Sequence, residues 1–280
     1  TNSATTACEK CRHWGAALQL LEGLSQVALR PDVITFNAVT SACEAWTSAL
    51  HLLLQAPSCS IQPCIVTYSG LFGACGRGRR PDLADALLRR ALRRRLRPDA
   101  VAYGALMDCF AAGGRWEKAL LVLEQLGEAA VRRNLIHWNT AVSACEASAA
   151  WRLSLLLLLT ARSSGCLEPD LSGRNAAISA CGHEGRWPWA LGLAEELRAA
   201  GLRPDAVTCN AAVLSCERGE QWRRAAAFLE ERLRAGLQGS SITQTALVAS
   251  FQQGQLWSQA LGAVRAGLAE GFEANVVVHC

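Results

Sequence analysis

Two kinds of side chain recur at spacings that could do chemistry. Asparagines stand at Asn2, Asn37, Asn139, Asn175 and Asn210, and aspartates at Asp32, Asp99, Asp170 and Asp205. An Asn amide offers donors and an acceptor, whereas an Asp carboxylate only accepts. Such pairs suit recognition of a molecular edge better than proton transfer. Catalytic patterns are missing. The histidines at 13, 51, 137, 183 and 279 are scattered with no triad pattern. No Gly-rich phosphate loop or strand–turn–nucleophile context occurs. Cys8-x-x-Cys11 with nearby His13 resembles half a metal site, but no second ligand pair follows at a suitable spacing. The chain is therefore expected to be no enzyme and to hold no metal or cofactor.

These residues recur because the chain repeats. Its 280 residues divide by 35 into eight, a period that signals a repeat array. The tetrad Arg-Pro-Asp-hydrophobic stands at Arg30–Val33, Arg97–Ala100 and Arg203–Ala206, with a near match at Glu168–Leu171. It sets units at 1–32 (cut at its N-terminus), 33–64, 65–99, 100–134, 135–170, 171–205, 206–240 and 241–275, and 276–280 open another. Each unit reads as two helices. In 100–134, Val101 to Phe110 is apolar with helical spacing, Gly113-Gly114 breaks it, and Trp116 to Glu128 is amphipathic. Pro81 and Pro188 open second helices, where a missing N–H costs nothing. The unit 33–64 lacks three residues, expected near the inter-helix turn at Ala45-Trp46. One hairpin cannot bury its apolar faces alone, so the fold class expected is all-α, an α-solenoid of stacked helix-turn-helix repeats.

Composition agrees. Half the residues are hydrophobic and 19% charged, which excludes a disordered chain. Net charge is +4, which permits a polyanionic partner without demanding one. Lys10 and Lys118 are the only lysines among 28 basic residues, a skew we attribute to composition. Thirteen cysteines, an odd number, argue against a disulfide scaffold. The longest apolar run, Leu155–Leu159, falls far short of the roughly 20 residues that span a bilayer. No targeting peptide is visible. Met107 is the only methionine, so the chain is expected to be a fragment or a processed form.

Inside the units, Val33-Ile34-Thr35-Phe36-Asn37, Ile65-Val66-Thr67-Tyr68-Ser69 and Ala206-Val207-Thr208-Cys209-Asn210 resemble the first helix of a pentatricopeptide repeat. Gly114-Arg115-Trp116-Glu117-Lys118-Ala119-Leu120 resembles the start of its second helix, and Gly201-Leu202-Arg203-Pro204-Asp205 its exit. The resemblance extends over essentially the whole chain. It implies a right-handed superhelix that binds single-stranded RNA, one base per repeat. In that family the fifth and last residues of a repeat read the base, and the second wedges between bases.

Carried over, the reading pairs are Asn2 with Asp32, Asn37 with Cys64, Ser69 with Asp99, and Gly104 with Asn134. They continue as Asn139 with Asp170, Asn175 with Asp205, Asn210 with Ser240, and Thr245 with Asn275. Asn with Asp matches the uridine pair, Asn with Ser cytidine, and Thr with Asn adenosine; Ser69 with Asp99 resembles the guanosine pair. Cys64 leaves only a pyrimidine leaning, and Gly104 removes one reader. The implied target is 5′-U-Y-G-(A)-U-U-C-A-3′. Wedges fall at Ile34, Val66, Val101, Ile136, Ser172, Val207 and Ile242, of which Ser172 departs from the aliphatic pattern. Lys10, Arg77, His183 and Arg218, late in first helices, are the phosphate candidates. The family usually acts in mitochondria or plastids, in RNA processing, stabilisation or translation. An RNA-processing protein is a second expected partner, and no membrane is expected.

Other repeated residues read as structural. Cys8, Cys43, Cys75, Cys145, Cys181 and Cys216 share one place at the end of the first helix, as small buried hydrophobes. Cys59 and Cys64 flank a loop and could oxidise. Trp14, Trp46, Trp116, Trp151, Trp187, Trp222 and Trp257 open second helices and are expected to pack. The arginines from Arg89 to Arg97 lie on a second helix and read as a solvated face. The rival to RNA binding is a protein-binding scaffold with drifted reading positions, for which Ser172, Gly104 and Cys64 speak. An editing enzyme would need a further domain, because neither His-x-Glu nor Pro-Cys-x-x-Cys occurs. With a cut unit at each end, the array is expected to be the interior of a longer one.

Overall fold

The computed structural model describes residues 15, 16, 19, 32–43, 45–57, 61–129, 131–148, 150–163, 170–202 and 204–234. Among these residues there are twelve helices and no strand. They are α1 Val33–Ala42, α2 Trp46–Gln55, α3 Ile65–Arg77, α4 Pro81–Arg93, α5 Ala100–Ala112, α6 Trp116–Glu128, α7 Leu135–Ala147, α8 Trp151–Ser163, α9 Leu171–His183, α10 Trp187–Ala199, α11 Ala206–Arg218 and α12 Trp222–Arg234. No helix among the described residues is long and apolar enough to cross a membrane. The fold is an all-α helical-repeat solenoid.

Local chemistry sets the helix ends. Asp32, Asp99, Asp170 and Asp205 each take extended backbone and accept the N–H three residues on, at 2.7, 2.8, 3.0 and 2.8 Å. Such a cap is worth about 1 kcal/mol over alanine. In four of the described units the chain turns between its two helices through a left-handed residue. Gly114 and Gly185 fill that position with φ of 68° and 63°. Arg79 and Glu220 fill it elsewhere with φ of 49° and 56°, against the steric preference of a side chain. In the shortened unit 33–64, Cys43 and Trp46 stand three residues apart where Cys75 and Pro81 stand six apart, and α1 and α2 have 10 residues each where α3 and α4 have 13.

The chain divides into two compact units, Thr1–Ala144 and Cys145–Cys280. In the first, α3 packs between α1 and α5. Phe36, Tyr68, Phe72, Leu106, Met107, Phe110 and Leu126 fill the core, each at most 2% exposed. In the second, α9 packs on α11, with Ile178, Cys181, Ala194, Leu197, Val213 and Phe228 buried together.

The repeated tryptophans hold neighbouring hairpins. A Cβ on Gly78 would run into the Trp46 ring, and one on Gly219 would lie 2.5 Å from the Trp187 ring. Pro81 takes the tryptophan's place against Gly113. Arg80 covers Trp46 and Arg224 covers Trp187, at 4.6 and 4.3 Å from the ring centroids. Cys43, Cys75, Cys145, Cys181 and Cys216 are buried. Burial pushes the Cys75, Cys145, Cys181 and Cys216 thiols up to about 11, so they pack rather than react. Arg89, Arg93, Arg94, Arg95 and Arg97 are exposed, and Arg89 pairs with Asp85 at 3.0 Å.

Candidate functional site

The first helices α3, α5, α7, α9 and α11 start where the 35-residue register opens a unit, so second and fifth residues lie three apart on one helix face. The second residues are solvent-facing. Ile34, Val66, Val101, Ile136 and Val207 are between 51 and 70% exposed, although Phe36, Tyr68 and Met107 nearby are buried. Ser172 is exposed as well. An aliphatic residue early in a helix is usually core, and here it is not.

The fifth residue meets the last residue of its unit in two described cases. Asn175 Nδ2 donates to Asp205 Oδ1 at 3.1 Å and approaches Oδ2 at 3.3 Å. Asn37 Nδ2 points to Cys64 Sγ at 3.5 Å, a weak acceptor. Asp205 thus both caps α11 and holds the asparagine of the preceding repeat. Burial alone would raise its pKa, but the backbone N–H and hydroxyl of Thr208, the Asn175 amide and the Val207 N–H hold it below the usual carboxylate range. Burial likewise favours a neutral Cys64 thiol. The Thr67 backbone and hydroxyl, the Asn37 side chain and the Val66 backbone outweigh it and lower that pKa.

A third residue joins each pair, one that sequence reasoning passed over. Thr208 Oγ1 donates to Asn175 Oδ1 at 2.6 Å, and Thr67 Oγ1 donates to Asn37 Oδ1 at 2.6 Å. These are third residues of the following unit. Their signal was present in the Val-Thr-Tyr-Ser and Val-Thr-Cys-Asn strings, as the threonine between the second and fifth residues of the repeat. The unit 100–134 differs. Gly104 has no side chain, and His137 takes the third position behind it, 1% exposed. His137 Nε2 meets Ala100 O at 2.9 Å, and Asn134 N–H points to its Nδ1 at 3.2 Å. The His137 N–H in turn donates to Asn134 Oδ1 at 3.0 Å.

Ser69 is half-buried in α3, while Asp99 is exposed. Asn139 lies in the first compact unit and Asp170 in the second. Asn210 sits half-buried in α11, but its partner Ser240 lies outside the described residues, as do Asn2, Lys10, Ile242, Thr245 and Asn275. Cys8, Cys11 and His13 lie there too. Among the described residues no cluster of three or more His, Cys, Asp or Glu could hold a metal.

Arg77, His183 and Arg218 are exposed at the ends of first helices, and they also join repeats. Arg77 Nη2 donates to Cys43 O at 2.7 Å, and Arg218 Nη1 to His183 O at 3.0 Å. Each guanidinium ties off the helix end of the preceding unit.

Asp-capped helical hairpins, stacked on a 35-residue register with readable side chains on the first helix, define a helical-hairpin repeat protein. The pentatricopeptide repeat model, described as a PPR repeat, matches residues 66–96 and 101–129. Those two stretches are pentatricopeptide repeats by that match, and the solenoid that contains them carries the same register. Solved structures share the fold. The pentatricopeptide repeat protein PPR10 in complex with an 18-nucleotide psaJ RNA element matches with a TM-score of 0.59 at 20% identity, over 95% of this chain and 44% of that one. PPR10 from maize matches with a TM-score of 0.54 at 18% identity, over 99% of this chain and 49% of that one. The PPR domain of Arabidopsis thaliana protein-only RNase P 1, in complex with tRNA, matches with a TM-score of 0.54 at 10% identity. That match covers 62% of this chain and 91% of the domain. The chain thus spans less than half of each PPR10 chain it matches. No curated protein sequence matches it significantly.

Proposed function

We propose that the chain binds single-stranded RNA in a base-specific manner, one base per repeat, near 5′-U-Y-G-(A)-U-U-C-A-3′. The observation that carries this reading is the row of solvent-exposed second residues Ile34, Val66, Val101 and Ile136 in the first compact unit; Val207 is likewise exposed within the second. Exposed β-branched side chains are stiff. Spaced by one repeat, and three residues before a polar reader on the same face, they suit a ladder that separates bases while amides and carboxylates meet base edges. Two solved relatives are complexes with RNA, which supports the ligand class. The mechanism is recognition: the array would mask a transcript segment, melt a hairpin or bring a processing enzyme to it. The setting usual for the family is a mitochondrion or plastid.

In this reading Asn175 with Asp205 reads uridine and Asn37 with Cys64 a pyrimidine. Arg77, His183 and Arg218 offer donors to phosphates from the same helix ends. A second reading, a protein-binding scaffold, has its own support. A groove of about 320 Å³ in the second compact unit is lined by Leu155, Leu158, Leu159, Trp189 and Leu193. The deciding experiment is the affinity of the purified chain for this octamer against scrambled octamers of equal composition. Preference for the octamer supports base reading; equal affinity for all sequences rejects it.

A further inference from the structure

We propose that the third residue of each repeat is a positioning residue for the reading amide of the repeat before it, and so sets that repeat's base selectivity. This rests on the RNA-reading proposal above and adds residues that the two-residue pairing leaves out.

The geometry is the same in both described cases. Thr67 and Thr208 are fully buried, and each Oγ1 stands 2.6 Å from the Oδ1 of an asparagine in the preceding repeat. That distance fits O–H···O and is short for N–H···O, so the hydroxyl donates and the amide oxygen accepts. Asp205 gives an independent check. A carboxylate only accepts, so the nitrogen of Asn175 must face it, which turns Oδ1 to the threonine. The Thr208 hydroxyl also lies 2.8 Å from Asp205 Oδ1, and it has one proton for two acceptors. The contact with Asn175 Oδ1 is the shorter, at 2.6 Å, and the Asn175 N–H already serves the carboxylate, so the hydroxyl orients the amide whichever oxygen holds the larger share of its proton.

The outcome is a polarised reader. Its oxygen is committed to the protein. One N–H goes to the last residue of its repeat, which leaves the second N–H to seek an acceptor on a base. Remove the threonine hydroxyl and the amide can flip to present its oxygen instead. How much this matters depends on the partner. Asn175 is also oriented by Asp205, whereas Asn37 has only the weak Cys64 sulfur at 3.5 Å. Selectivity in repeat 33–64 therefore hangs on Thr67 more than selectivity in 171–205 hangs on Thr208.

His137 shows the same position used differently. Its ring bonds Ala100 O at 2.9 Å, and a Cβ on Gly104 would lie 3.6 Å from it. The ring stands behind the missing reader in place of a hydroxyl, and repeat 100–134 is left with Asn134 alone.

The test uses the full chain and fluorescein-labelled octamers carrying each of the four bases at position two or position six. Thr67→Val should cut pyrimidine selectivity at position two by roughly tenfold, the equivalent of about 1.4 kcal/mol. Position six should be untouched, Thr67→Ser should retain the selectivity, and Thr208→Val should lose less at position six. Equal weakening across all four bases, with selectivity kept, overturns the proposal. Gly104→Asn with His137→Thr covers the case in which Thr67→Val misfolds. It should gain pyrimidine selectivity at position four that Gly104→Asn alone does not, and no gain also overturns the proposal. A wild-type chain without base selectivity anywhere overturns the RNA-reading proposal and this one with it, whereas a selective wild type with an indifferent Thr67 overturns this one alone.

Discussion

Replacing Cys64 with Asp should convert a weak reading pair into a strong one and stabilise the chain at the same time. Cys64 is the half-buried N-cap of α3, and Asp32, Asp99, Asp170 and Asp205 are the N-caps of α1, α5, α9 and α11. Its surroundings already match those of Asp205. Asn37 stands where Asn175 stands, Thr67 where Thr208 stands, and both threonines reach their asparagine at 2.6 Å. The one weak contact is Asn37 Nδ2 to sulfur at 3.5 Å, against 3.1 Å to the Asp205 carboxylate. The lowered pKa of Asp205 shows that this environment favours an ionised carboxylate. A better cap should add about 1 kcal/mol, which is a rise of roughly 2–4 °C for a chain of this size. The reading contact should add about 1–3 kcal/mol of preference for uridine at the second base. The assays are a thermal melt by circular dichroism and anisotropy titration with U, C, A or G at position two. A lower melting temperature, or unchanged selectivity in a chain that still binds the octamer, would refute the reasoning.

Three more outcomes are expected. Val101→Ala, at a 70% exposed position, should leave stability within about 0.5 kcal/mol while weakening octamer binding, measured by melt and titration together. Gly219→Ala sets a Cβ 2.5 Å from the Trp187 ring and should cost about 1–3 kcal/mol as overpacking, read by denaturant unfolding. Asp205, whose folded pKa is depressed, contributes stability that is present above its unfolded value of about 3.9 and lost as pH falls through the folded value. Melts should thus show no contribution from Asp205 to pH dependence between pH 8 and 5 and a loss in stronger acid, and Asp205→Asn should lack that loss.

Much of the fold could be read in the sequence because the repeat wrote the same instruction many times. Pro-Asp marked the exits, since proline cannot continue a helix and aspartate caps the next one. Gly113-Gly114 and Pro188 marked the turns for equally local reasons. The shortening of 33–64 was legible at the Cys43–Trp46 step, and the 10-residue α1 and α2 accompany it. That Asn37 would meet Cys64 and Asn175 would meet Asp205 followed from the fifth and last positions that the family resemblance assigns. Thr67, Thr208 and His137 were not legible, because their contacts reach back about 30 or more residues and their side chains look like helix filler. Arg77 and Arg218 were read as phosphate donors from their place near the first helix's end. Their bonds to Cys43 O and His183 O depend on how repeats stack, which no local pattern encodes.

The most direct test of base reading is selection of bound RNA from a randomised pool by the purified chain. The account predicts enrichment of a motif near U-Y-G-N-U-U-C-A, with the fourth position least constrained because Gly104 supplies no side chain. A pool that stays random after repeated rounds, or a motif unrelated to the reading pairs, would contradict it.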